Sequence, residues 1–166
     1  PWVVSREIRA LRSLEGRAPV PRVVAVIDKY AYLMEYVEGE PCNYLAAETV
    51  SPRFFEGVAE AISELHAAGW VHGDLKSFGN LIRGPEDRIW ITDLATAFSR
   101  EGSFGPLRRW LFERMVRIDW LALAKLKSSL APELLTEREA HALAHPSAPV
   151  RIARAWRRLY RLVRRR

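Results

Sequence analysis

Apolar residues recur at helical spacing near the start of the chain. Those in the stretch SREIRALRSL are Ile8, Leu11 and Leu14. With arginines between them, they predict an amphipathic helix over residues 5–14, with Ser5 as its N-cap. The pattern then changes, because residues 21–28 and 31–39 are rich in β-branched and aromatic side chains. With the turn-forming DKY between them, these segments predict an antiparallel pair of strands.

A long helix is predicted after Ser51. Ser51 followed by Pro52 is a helix start signal, and the segment FFEGVAEAISELHAAG places its larger apolar side chains on one face. These are Phe54, Val58, Ile62 and Leu65. The helix is expected to end at Gly69, because glycine commonly follows the last helical turn.

A hairpin and further helices complete the pattern. Residues 70–80 are expected to form a loop, and NLIRG and RIWIT are expected to be strands joined by the turn GPED. Beyond Asp93 the pattern is helical to the end. Capping signals there are the pair Thr136 and Glu139 and the pair Ser147 and Pro149. This order of elements predicts a mostly helical α+β layout with a small sheet at one edge.

Composition points to one globular domain with an uneven charge. The chain has 166 residues, of which 49% are hydrophobic, and a net charge of +6. The last sixteen residues, RIARAWRRLYRLVRRR, hold eight arginines and no acid, so the rest is close to neutral or slightly acidic. A single cysteine and the lack of a signal or membrane-spanning pattern favour the cytoplasm. Because the first residue is Pro1, we expect that a preceding segment has been removed.

The stretch HGDLKSFGNLIRGPEDRIWITDLA carries the candidate chemistry. Asp74 and Lys76 lie in the loop, Asn80 ends it, and Asp93 follows a hairpin that would fold it back towards Asp74. Phosphoryl transfer needs a carboxylate to orient a hydroxyl, a cation, and oxygen ligands for Mg²⁺. These residues supply all three.

HGDLKSFGN followed by ITDLA resembles the catalytic loop and metal-binding motif of the protein-kinase-like superfamily. REIRALRSL is similar to the kinase helix C, YLMEYVEG to the hinge strand, and AISELHAAGWVHGD to the helix before the catalytic loop. The resemblance covers roughly residues 5–130, and the ordered set is more specific than any single motif. It implies a protein-kinase-like fold with a mostly helical C-lobe, a catalytic-loop hairpin, and a truncated N-lobe of helix C and hinge strands.

The resemblance also implies site residues and cofactors. Asp74 would be the catalytic base, Lys76 would neutralise phosphate charge, and Asn80 and Asp93 would hold Mg²⁺. ATP would bind at the hinge through the carbonyl of Glu35 and the backbone of Val37, with Met34 as gatekeeper and Glu7 as the helix C glutamate. Asp119 resembles the aspartate that braces the catalytic loop.

Departures from the kinase pattern narrow the resemblance. Gly73 replaces the arginine through which many kinases are regulated by phosphorylation, and only 25 residues separate Asp93 from Asp119. In these features the chain is similar to RIO-type kinases, lipopolysaccharide core sugar kinases, and aminoglycoside and choline kinases. Among these, the stretches DLATAF and DWLALAKLKSSLAPELLTERE look most like the bacterial lipopolysaccharide-kinase and RIO-like group. Against activity, five residues separate Asp74 from Asn80, one more than the kinase loop has, and no glycine-rich loop or strand lysine precedes Glu7.

Two function classes follow. The first is an ATP- and Mg²⁺-dependent kinase acting on a hydroxyl of a lipopolysaccharide-type sugar or other small molecule, or of protein Ser/Thr as in RIO-like kinases. The second is a non-catalytic pseudokinase or binding scaffold. Asp74 and Asp93 as ordinary turn residues and Lys76 as a solvated lysine are simpler alternatives, and His72 is expected to be structural.

The chain is interpreted as a single domain, residues 1–166. Residues 1–40 would be a remnant of the N-lobe and hinge, 41–150 the C-lobe, and 151–166 a basic amphipathic helix. That last segment could dock on the protein itself, on an anionic membrane surface at the inner membrane face, or on an RNA or phosphorylated glycolipid. A specific nucleic-acid partner is not expected.

Overall fold

The computed structural model describes residues 2–102 and 105–145. Its helices are α1 (Trp2–Leu14), α2 (Pro52–Ala67), α3 (Gly105–Leu130) and α4 (Glu137–Ala144). Its strands are β1 (Val23–Val26), β2 (Tyr32–Met34), β3 (Glu40–Pro41), β4 (Trp70–Val71), β5 (Leu81–Arg83), β6 (Ile89–Ile91) and β7 (Phe98–Ser99). Helices thus predominate over short strands, as the α+β prediction requires.

Helix α2 begins and ends where its local signals predict. The hydroxyl of Ser51 accepts a hydrogen bond from the Phe54 N–H at 3.3 Å, and Pro52 occupies the first turn. After the last turn, Gly69 adopts a φ of +82°, which favours glycine. The helix buries one face, which includes Phe54, Val58, Ile62 and Leu65 as predicted. It therefore contributes a large share of the hydrophobic core.

The strands within the described residues form three small antiparallel sheets. Strands β1 and β2 pair through the predicted turn, with Val26 opposite Tyr32. The second sheet has the order β3-β5-β6, and its β5–β6 hairpin, which was predicted, places Leu81 opposite Ile91. In the third sheet, β4 pairs with β7, with Val71 opposite Phe98. This last pair joins the two ends of the segment that carries the candidate chemistry.

The hydrophobic core is gathered around α2. Residues from α1, the β5–β6 hairpin and α3 pack against it, among them Leu11, Ile91 and Leu126. Cys42 joins this core, where burial raises the pKa of its thiol to about 12. By contrast, the β1–β2 hairpin exposes large apolar side chains, which include Val24, Ile27, Leu33 and Met34. The two parts of the molecule are thus buried to very different degrees.

Three expectations need correction. Ser5 is not an N-cap, because α1 begins at Trp2 and Ser5 lies inside it. The segment after Asp93 is not helical throughout, because β7 precedes α3. Residues 70–80 are not all loop, because they begin with β4. The capping box of Thr136 and Glu139 is confirmed at the start of α4.

The predicted helix after Ser147 and the basic segment 151–166 lie outside the described residues, so both stay predictions. None of the described helices is both long and apolar enough to cross a membrane.

Candidate functional site

A buried carboxylate on α3 holds the start of the segment 72–80, here called the 72–80 loop. Asp119 Oδ2 accepts the His72 N–H and its Oδ1 accepts the Gly73 N–H, each at 2.9 Å. Asp119 is completely buried, so these bonds are shielded from water. The contacts confirm the bracing role that the sequence predicted for Asp119.

The imidazole of His72 connects the 72–80 loop to the end of β6. Its Nδ1 accepts the Asp74 N–H at 3.2 Å, so its Nε2 carries the hydrogen and donates to the Thr92 carbonyl at 2.9 Å. The Thr92 N–H in turn donates to the Asn80 carbonyl at 2.9 Å. This ring therefore brings Asp74, Asn80 and the residue before Asp93 together, in agreement with a structural role for His72.

Two consecutive turns lie between Asp74 and Asn80, where the 72–80 loop has one residue more than the kinase pattern. The Ser77 N–H donates to the Asp74 carbonyl at 3.3 Å, and a 3₁₀ turn over Phe78–Asn80 follows. The Asn80 side-chain amide then reaches back and donates to the same Asp74 carbonyl at 3.2 Å. Asn80 thus lies beside Asp74 despite the longer spacing, and its amide oxygen is oriented by this contact.

Asp93 is exposed and adopts left-handed backbone angles, with φ 57° and ψ 64°. Aspartate tolerates this region better than most residues. Together with the Asn80 amide oxygen, its carboxylate provides the hard oxygen ligands that Mg²⁺ prefers. Among residues 2–102 and 105–145, no group of three or more His, Cys, Asp and Glu side chains is placed to hold a metal. A carboxylate and an amide oxygen are the types of ligand that Mg²⁺ accepts beside water and substrate phosphates, and the metal role of Asn80 and Asp93 stays a prediction.

Asp74 and Lys76 form an ion pair at the open side of the 72–80 loop. The Lys76 Nζ lies 2.6 Å from Asp74 Oδ1, and both side chains are at least one-third exposed. Such an exposed pair contributes little to stability. The Asp74 Oδ1 atom itself is shielded from solvent although the side chain is 36% exposed. The predicted catalytic roles of Asp74 and Lys76 stay predictions.

Glu7 reaches the site from α1. The Tyr32 hydroxyl and the Leu94 backbone lie near its carboxylate and favour its charged form. Burial raises the pKa of Glu7, and the negative charge of Asp93 adds to the effect. Helix α1 is also fastened beside this segment, because Arg6 donates to the Ala97 carbonyl at 2.9 Å. The helix C position predicted for Glu7 is thus next to Asp93.

The predicted hinge, residues 32–39, begins with β2 and continues beyond it. Met34 is exposed, whereas Glu35 and Val37 are half-buried. The Glu35 carboxylate accepts the Arg22 N–H at 3.2 Å, and the Glu35 N–H donates to the Arg22 carbonyl at 2.8 Å. These contacts fix the start of the hinge, while its part in adenine binding stays a prediction.

Two contributors to the site were missed by sequence reasoning. Thr96 donates its hydroxyl hydrogen to the His72 carbonyl at 2.9 Å, and His66 lies 3.1 Å from Asp119. No local pattern marks either residue, because their partners are 24 and 53 positions away.

Comparison with known proteins decides the family. Residues 2–117 match the RIO domain family, a stretch that contains α1, the hinge, the 72–80 loop and Asp93. The chain belongs to the RIO domain family. The prediction that the chain belongs to a kinase-like family is therefore confirmed.

Two relatives illustrate the range of the family. The RIO domain is 30% identical to the EKC/KEOPS complex subunit BUD32 of Encephalitozoon cuniculi, over 67% of this chain and 56% of that protein. It is 34% identical to the probable bifunctional tRNA threonylcarbamoyladenosine biosynthesis protein of Methanosarcina acetivorans, over 49% of this chain and 14% of that protein. The chain thus matches little more than half of one relative's length and a seventh of the other's. These relatives are eukaryotic and archaeal, so they support the RIO part of the predicted resemblance and not its lipopolysaccharide-kinase part.

A solved structure confirms the fold. The Rio2 kinase–ADP/Mg²⁺–phosphoaspartate complex from Chaetomium thermophilum superimposes with a TM-score of 0.58 and 19% identity, over 81% of this chain and 40% of that chain. At this identity the likeness shows the fold alone, and that fold is protein-kinase-like. The presence of ADP and Mg²⁺ in that complex agrees with the use of ATP and Mg²⁺ by the family.

Proposed function

We propose that this RIO domain provides the C-lobe half of an ATP- and Mg²⁺-dependent phosphotransferase. The observation that carries the proposal is the hydrogen-bonded unit of Asp119, His72 and Thr92, which gathers Asp74, Asn80 and Asp93 on one side of the C-lobe. A site built mainly for folding would not need three polar side chains in this arrangement, of which Asp74 and Asn80 are half-buried and Asp93 is exposed. Phosphoryl transfer does need them, because it depends on positioning and charge rather than on covalent chemistry.

Each residue has a distinct role in this proposal. Asp74 accepts a hydrogen bond from the attacking hydroxyl and orients it, and Lys76 leaves Asp74 to neutralise charge on the transferred phosphate. Asn80 and Asp93 would hold Mg²⁺, which supplies charge neutralisation at the phosphates when it is bound. The hinge backbone at Glu35 and Val37 receives adenine.

The acceptor is proposed to be a protein side chain. None of the relatives described above is named as a lipopolysaccharide kinase, so the sugar acceptor predicted first has no support from them. The alternative acceptor, a protein Ser/Thr as in RIO-like kinases, agrees with the family. Because one relative is named as a subunit of the EKC/KEOPS complex, the acceptor or activator is proposed to be a partner protein.

The phosphoaspartate in the Rio2 kinase complex favours a second candidate, hydrolysis of ATP through an aspartyl phosphate. Asp93 suits this reaction because its carboxylate is exposed. The carboxylate would attack the γ-phosphorus, ADP would leave, and water would then release phosphate. Acid-stable phosphoserine or phosphothreonine on a partner would favour the kinase, and a hydroxylamine-labile phosphate on this chain would favour hydrolysis.

The test of the proposed site is nucleotide binding by calorimetry. We expect ATP to bind the chain only with Mg²⁺, and Asp93→Asn to weaken that binding about tenfold or more because a charged ligand is lost. Asp28→Asn is the matched control, since Asp28 is an exposed aspartate in the β1–β2 turn. Binding that ignores both Mg²⁺ and Asp93→Asn would contradict the metal site. If ATP does not bind at all, the result would favour the second function class, a non-catalytic scaffold that binds no nucleotide.

A further inference from the structure

His66, in the last turn of α2, contacts the same buried carboxylate that holds the 72–80 loop. Its Nε2 lies 3.1 Å from Asp119 Oδ2, and its ring packs edge-on against Trp120 with centroids 5.9 Å apart. The His66 side chain is only 12% exposed. Because a carboxylate at this site only accepts hydrogen bonds, Nε2 carries the hydrogen. His66 is therefore a third donor to Asp119, beside two backbone amides.

The third donor completes the environment of a charge that has no access to water. A buried carboxylate is costly unless its oxygens are hydrogen-bonded. The two amides of the 72–80 loop come from adjacent residues and therefore from one side. His66 comes from a different element, α2, and adds a second donor to Oδ2, so the carboxylate that holds the loop is itself held from α2.

We propose that His66 is a positioning residue for the phosphotransfer site. Its influence reaches Asp74 through two contacts, from Asp119 to the His72 N–H and from His72 Nδ1 to the Asp74 N–H. A short chain of directional bonds thus connects the end of α2 to the proposed catalytic carboxylate. The inference rests on the proposed function, because it gives a role to the position of Asp74.

Two substitutions separate the hydrogen bond from simple packing. His66→Leu removes the hydrogen-bond donor but still fills the space with an apolar side chain. His66→Gln retains an N–H donor at a similar distance from the backbone. In the whole chain, we expect amide hydrogen exchange at His72 and Gly73 to become about tenfold faster or more in the Leu variant. The Gln variant should exchange at nearly the native rate. His141→Leu, which changes an exposed histidine on α4, is the control.

The exchange experiment has two outcomes that would overturn the proposal. Native exchange at His72 and Gly73 in His66→Leu would show that the donor is dispensable. Equal acceleration in the Leu and Gln variants would show that ring packing matters and the hydrogen bond does not. Exchange at Ile62 in the core of α2, unchanged in each variant, would exclude a general loss of folding.

Turnover of Mg²⁺-ATP gives the functional readout. A misplaced Asp74 should lower kcat about 10- to 100-fold in His66→Leu while the KM for ATP stays near the native value. The Gln variant should recover most of the rate. Native kcat in the Leu variant would overturn the positioning role. If the native chain turns over no ATP, the proposed function fails, and the exchange experiment still decides whether His66 positions the loop.

Discussion

Two turns of this RIO domain are each held by an aspartate that accepts two backbone N–H groups. Asp119, which lies on α3 and is completely buried, accepts hydrogen bonds from two backbone amides of the 72–80 loop, each at 2.9 Å. Asp28 accepts two amides of its own turn between β1 and β2, at 2.7 and 2.9 Å, in an exposed position. The first contact fixes distant parts of the chain, whereas the second is local. Similar chemistry therefore gives a rigid unit in one place and an ordinary turn in the other.

The same contrast divides the proposed site. Its C-lobe half is attached to the core through buried polar contacts, and Asp74, Asn80 and Thr92 belong to it. Its other half, formed by Glu7 and the hinge, adjoins a hairpin whose apolar side chains are exposed. The proposed catalytic loop is thus held by the core, whereas Glu7 and the predicted hinge adjoin an exposed hairpin.

The largest effect on the proposed site is expected from comparing the two aspartates directly. Asp119→Asn should lower the free energy of unfolding by about 3 kcal/mol, because an amide group would face donors in a buried site. Asp28→Asn should change it by less than about 0.5 kcal/mol, since asparagine forms the same type of turn. Urea unfolding of both variants checks this, and similar losses would remove the distinction between the turns.

A pair of glycines tests how tightly the 72–80 loop is packed. Gly73 and Gly69 have nearly equal φ values of +81° and +82°. A β-carbon on Gly73 would lie 2.6 Å from Met115 Cε, whereas nothing lies within 4 Å of one on Gly69. Each alanine variant should lose about 1 kcal/mol through backbone strain, and Gly73→Ala should lose slightly more, because the Met115 methyl at the end of its flexible side chain has to shift. Thermal unfolding measures the difference, and a smaller loss at Gly73 would mean that the loop yields easily.

The raised pKa of Glu7 predicts a pH dependence in the less protected half. Burial favours the protonated form, so the native chain should lose stability as pH rises through the raised pKa. Glu7→Gln removes this dependence, and its advantage over the native chain should grow between about pH 4 and pH 7. Urea unfolding across that range is the measurement, with the exposed Glu15→Gln as control. An advantage that shrinks with rising pH would contradict the assignment.

The smallest effect is expected on the exposed face of the β1–β2 hairpin. Leu33 is 54% exposed, whereas Leu81 in β5 is 2% exposed. Leu33→Ala should therefore change the free energy of unfolding by less than about 0.5 kcal/mol, and Leu81→Ala should lower it by about 2 to 5 kcal/mol. Equal losses in chemical denaturation would show that the hairpin face is covered in solution.

Local signals were enough to predict the larger elements. The start of α2 at Ser51, its end before Gly69 and the capping box of α4 each depend on residues within one helical turn. The predicted start of α1 at Ser5 was wrong, because the helix already begins at Trp2. The ring of Trp2 contacts the guanidinium of Arg6, one turn later. Helical side-chain pairs of this kind outweighed the capping preference of Ser5.

Long-range pairing set the limit of prediction. Strands β3, β4 and β7 have two residues each, too few to show an alternating pattern, and β4 finds its partner 27 positions away at Val71 and Phe98. Asp74, Asn80 and Asp93 were identifiable because their spacing resembles a known motif. His66 and Thr96 were not, because only the folded chain brings them to Asp119 and His72.

The burial of Cys42 has a practical consequence for spectroscopy. It is the single cysteine of the chain and is 2% exposed, with the pKa of its thiol raised to about 12. Thiol reagents attack the thiolate, so the native protein should remain almost unlabelled near neutral pH. A cysteine introduced at the exposed Tyr36 would then be the preferred attachment point for a fluorophore. Movements of the hinge could be followed in this way without first removing the native thiol.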